Sequence, residues 1–76
     1  MDIEIKIIET GISRDELKEV AKIIFGDLVK AVVDVEKGIM AIGGELHADE
    51  EAILLSQGSR QENLWGINLY PKQIRK

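Results

Sequence analysis

Ile3, Ile5 and Ile7 alternate with Asp2, Glu4 and Lys6 at the start of the chain, a period of two that predicts a strand with one buried face. After Thr10-Gly11 the period changes. Leu17, Val20, Ala21 and Ile24 recur at i, i+3, i+4 and i+7, with Lys18, Glu19 and Lys22 mainly on the other side, so a helix burying one stripe is expected. Its start is marked by Ser13-Arg14-Asp15-Glu16, a capping box in which the Ser13 hydroxyl accepts from the Glu16 N–H and the Glu16 side chain reaches back to the Ser13 N–H, with Ile12 and Leu17 at the staple positions. Gly26 follows the last periodic residue, where a left-handed cap needs a residue without Cβ. The predicted helix runs from Arg14 to Phe25.

Val29 to Val35 is β-branched and apolar on both faces apart from Lys30 and Asp34, the composition of a covered central strand. Glu36-Lys37-Gly38 fits a hairpin loop with glycine in the left-handed position, and the next strand begins at Ile39. Carried through Gly43-Gly44 as a kink or bulge, that strand places Met40, Ile42, Leu46 and Ala48 on one face and Glu45, His47 and Asp49 on the other. A helix over Asp49 to Leu55 competes with this reading, because Glu50, Glu51, Ala52 and the leucines are good helix formers; the strand is preferred. Ala52 to Ser56 then forms a short strand. Gln57-Gly58-Ser59 turns into a last one over Gln61 to Tyr70, where Asn63, Trp65, Ile67 and Leu69 share a face and Pro71 ends the ladder. The expected class is α+β: a mostly antiparallel sheet of about five strands with one helix, in the order β-α-β-β-β-β.

Length adds that this is one compact domain over residues 1–71, followed by a short basic tail over 72–76. A chain of 76 residues buries only about 60% of the surface its unfolded form exposes. The core is aliphatic, since Phe25, Trp65 and Tyr70 are the only aromatic residues, and the absence of cysteine removes disulfides and thiolate metal cages. The net charge is −4. All 14 Asp and Glu residues lie before residue 72, while Lys72, Arg75 and Lys76 close the chain. An acidic body disfavours nucleic acid, which requires a cationic surface. No apolar run reaches the roughly 18 residues of a membrane span, and Met1-Asp2-Ile3-Glu4 lacks the basic start of a signal peptide, so no membrane association and a cytoplasmic location are expected.

The densest chemistry lies in Gly43-Gly44-Glu45-Leu46-His47-Ala48-Asp49-Glu50-Glu51, which holds the only histidine and the only glycine pair. Glu45, His47 and Asp49 on one strand face, with Glu62 on the last strand, would offer N/O ligands to a divalent metal. The same His47, oriented by Glu45 or Asp49, would suit a general base, yet Ser13 has a capping task and Ser56 and Ser59 sit at turns, so no nucleophile stands out. The plain reading of these charges is a solvated face.

The runs Ile39 to Glu51 and Gly58 to Pro71 resemble a family of short prokaryotic proteins catalogued as a domain of unknown function. The resemblance spans nearly the whole chain and implies no particular activity. Members of that family continue beyond the position of Pro71, so it also implies that part of the family's fold lies outside this chain.

From the residues, a small acidic domain acting by association with itself or a protein partner is expected, with metal binding or metal-dependent catalysis as the alternative. One helix cannot shield five strands, and Trp65, Ile67 and Leu69 form a row suited to an interface. The commonest closed assembly, a two-fold dimer, follows as the expected state.

Overall fold

The computed structural model describes residues 5–9, 11–24 and 26–71. Asp2, Ile3 and Glu4 of the first predicted strand, Thr10, the predicted helix end at Phe25, and the basic tail 72–76 lie outside the described residues. The elements are β1 (Lys6–Ile8), α1 (Arg14–Ile24), β2 (Val29–Asp34), β3 (Ile39–Ile42), α2 (His47–Ser56) and β4 (Leu64–Leu69), the last entered through a 3-10 turn at Gln61–Asn63.

α1 starts as its cap predicts. The Glu16 N–H donates to Ser13 Oγ at 3.1 Å, and the Leu17 N–H to the Ser13 carbonyl at 3.1 Å. The Glu16 carboxylate accepts from the Ser13 hydroxyl at 3.4 Å, in place of the backbone N–H the capping box calls for. Gly26, at φ +91°, closes the helix by donating to the Ala21 carbonyl at 2.6 Å. The β2–β3 hairpin is organised by Asp34, whose Oδ1 accepts from the Glu36 and Lys37 N–H groups at 2.9 Å each. Gly38 takes the expected left-handed conformation there, φ +70°.

The strands form one antiparallel sheet in the order β1-β3-β2-β4. β1 and β2 therefore run parallel with β3 between them, and β3 and β4 run parallel with β2 between them. Both crossovers step the same way across the sheet, but they leave strands of opposite direction. A common right hand then puts the two helices on opposite faces. The cores agree: Leu17 and Ala21 of α1 bury against Val29, Ala31 and Ile42, whereas Leu54 of α2 buries against Val32 and Ala41, the alternate residues of the same strands. Full burial of a side chain the size of Leu54 contributes about 1.5–3 kcal/mol.

The expected architecture holds as α+β and antiparallel, with a correction in detail: the described residues form four strands and two helices, not five and one. β3 stops at Ile42, and residues expected as its continuation and as a fourth strand form α2. Gly43, at φ +97°, turns the chain out of the sheet instead of kinking within it. The motive for expecting a wholly bare sheet face goes with it, because α2 supplies the second layer.

Candidate functional site

Helical geometry separates the residues that a strand would have aligned. Glu45 precedes α2, while His47 and Asp49 stand two positions apart on it, a spacing that does not bring side chains together. Glu62 lies elsewhere, in an exposed ion pair with Arg60 at 3.5 Å. The strand face on which Glu45, His47, Asp49 and Glu62 were expected to offer metal ligands is not formed, because His47–Ser56 is helical, and among the described residues no three His, Asp or Glu side chains gather.

His47 has a structural partner instead. Its Nε2 lies 2.8 Å from the Ile67 carbonyl of β4, and since a carbonyl only accepts, this nitrogen carries the proton. The ring lies on Gly66, where a Cβ would come within 3.4 Å of it. The serines are occupied as well. Ser13 caps α1, the Ser56 hydroxyl donates to the Ile53 carbonyl at 2.7 Å, and Ser59 is buried beside Asp34. No base–nucleophile pair is assembled from them.

Two buried carboxylates were not singled out by sequence. Glu50 projects from α2 into a cradle made by Gly44: its Oε2 accepts from the Gly44 N–H at 2.9 Å, and a Cβ on that glycine would lie 2.9 Å from Glu50 Cγ. Its Oε1 makes no hydrogen bond among the described residues. Burial pushes the Glu50 carboxyl up to about 7, against the opposing Gly44 N–H and Lys30 charge, with Asp49 adding to the rise. Asp34 shifts the other way. The Ser59 hydroxyl is the first cause holding its carboxyl below the usual value, followed by the Lys37 N–H, although neither Asp34 Oδ2 nor Ser59 Oγ completes a hydrogen bond of good geometry. Nothing in hydrophobic periodicity distinguishes these two acids from the exposed ones around them.

The predicted row on β4 is largely open. Trp65 is 62% and Ile67 38% exposed, while Leu69 packs against the α1-side core. All three lie on the α1 side of the sheet, opposite Val33, Ala31 and Val29 respectively. β4 is an edge strand, and α1 rests on the strands beyond it. The Val35 N–H donates to the Asn63 carbonyl at 3.0 Å, which fixes the alternation of the β2–β4 ladder. Residues 65, 67 and 69 exchange hydrogen bonds with β2, and the backbone polar groups of Leu64, Gly66 and Asn68 point to the free edge. The Leu64 N–H is already used by the Gln61 carbonyl.

Tested against protein families, residues 6–75 match the model described as Protein of unknown function (DUF5674). Neither a curated protein nor a solved structure matches the chain. No helix among the described residues is long and apolar enough to cross a membrane.

Proposed function

The chain belongs to the DUF5674 family, and we propose that its domain acts by protein association, with β4 as the contact. The observation that carries this reading is the exposure of Trp65 and Ile67 side by side on an edge strand. A tryptophan left in water forgoes the stabilisation its large apolar area would give inside, and Trp is the residue most enriched among interface anchors.

The two edges of the sheet support the choice. β1 is three residues long and carries Lys6, features that discourage strand addition. β4 is six residues long, with no charge and no proline within it. Charge, proline and brevity are how edges are normally guarded, and β4 has none of them. His47 roofs only the Gly66–Ile67 part of its α2 side.

A photoreactive benzophenone placed at Tyr70, exposed just past β4, tests the reading in living cells. Irradiation is expected to give a covalent protein adduct that disappears in a Trp65→Lys background. Absence of any adduct from the wild-type sequence would overturn it.

A further inference from the structure

Resting on that reading, we infer that the occupant of β4 is a second copy of this chain, whose β4 adds antiparallel across a two-fold axis at Gly66 to give one continuous eight-stranded sheet. The argument starts from the open backbone groups. On the free edge stand the carbonyl of Leu64 and both groups of Gly66 and Asn68. A two-fold register pairing Gly66 with the partner's Gly66 sets Leu64 opposite the partner's Asn68. Each Gly66 N–H then donates to the other Gly66 carbonyl, and each Asn68 N–H to the partner's Leu64 carbonyl. The Leu64 N–H, which would otherwise donate to the partner's Asn68 carbonyl, is already taken by the Gln61 carbonyl. Both free donors of the edge, the Gly66 and Asn68 N–H groups, therefore find acceptors, and the Asn68 carbonyl is the one group left over, on an exposed residue at the end of the pairing.

Side chains match in the same register. Trp65 falls opposite the partner's Ile67 as a non-hydrogen-bonded pair, the closer of the two pair types, so the two most exposed apolar residues of the strand cover each other twice by symmetry. The axis itself passes between two residues with no side chain. Any larger residue at position 66 would face its own copy and would also press on His47, whose ring lies 3.4 Å from a Cβ built there.

Charge favours the same occupant. An acidic chain of net charge −4 repels its own copy over most of its surface, but Leu64–Leu69 is uncharged. A neutral, apolar strand of equal length is its complement, and the chain carries one.

The test combines mass, edge protection and two variants on the purified chain. Sedimentation over a concentration series is expected to show the mass doubling from 8.5 kDa, and exchange of the Gly66 and Asn68 amides to slow at least tenfold as it does. Asn68→Pro removes a donor that points away from β2 and so spares the intramolecular ladder; Trp65→Lys charges the covered row without touching the core. Each folded variant should remain at the monomer mass at concentrations where wild type is dimeric, and circular dichroism shows which are folded. A wild-type chain that stays at 8.5 kDa to high micromolar concentration overturns the self-pairing. So does a dimer whose Gly66 and Asn68 amides exchange as fast as in the monomer, which would mean packing through a face and not through the edge. If the chain is monomeric while the Tyr70 adduct to another protein persists, the self-pairing fails and association through β4 stands.

Discussion

Glu50 shows how far one side chain can set the behaviour of this protein. It is buried against Gly44, whose N–H donates to one carboxylate oxygen while the other has no partner among the described residues, and burial, outweighing that bond, raises its carboxyl from an ordinary 4.5 to about 7. The folded state thus holds a proton that the unfolded chain releases, and stability from this group is fully present below pH 4.5 and lost as pH rises towards 7. A shift of this size corresponds to roughly 3 kcal/mol over that window. Asp34 acts in the opposite sense: lowered in the fold, it stabilises above its ordinary 3.8 and ceases to do so as pH falls. We expect denaturant midpoints to fall between pH 4.5 and 7, and Glu50→Gln, which keeps an acceptor for the Gly44 N–H, to flatten that fall. A Glu50→Gln profile parallel to wild type would show that the burial is relieved in solution.

At the scale of elements, what was legible and what was not divides at Gly43. β2, the hairpin glycine and the start of α1 were readable because each has a local cause: β-branched runs, a left-handed turn position, and a serine three residues before a glutamate. α2 was not readable by periodicity. Its sheet-facing positions are His47, Glu50, Glu51 and Leu54, at i, i+3, i+4 and i+7, all buried or half-buried, so its inward stripe is three-quarters polar. Only the helix-forming composition of Glu50 to Leu55 hinted at it. The strand alignment of Glu45, His47 and Asp49 on one face failed for the same reason, since it rested on a period of two where the chain is helical. His47 instead ties α2 to β4 through the Ile67 carbonyl. His47→Ala should cost about 1 kcal/mol and speed amide exchange in β4 more than in β1. Equal acceleration in both strands would show that the contact is not local.

For the whole molecule, the sequence conveyed the class, the antiparallel sheet and the row on β4, but not the strand order, which depends on pairings between distant segments. That order has a consequence for how the chain can be assembled. Residues 1–36 contain β1, α1 and β2, and residues 37–76 contain β3, α2 and β4. Each half lacks the strand that lies between its own two: β3 separates β1 from β2, and β2 separates β3 from β4. Among the described residues neither half has an internal strand pair to nucleate on, so the first stable sheet contact is expected to join them at the β2–β3 hairpin, whose local closure is fast. Cut between Glu36 and Lys37, the two peptides should be disordered separately by circular dichroism and regain strand and helix when mixed. A peptide that folds alone would mean that its half carries a nucleus of its own. The protein is therefore interlocked, two incomplete units each of which supplies the other's missing middle.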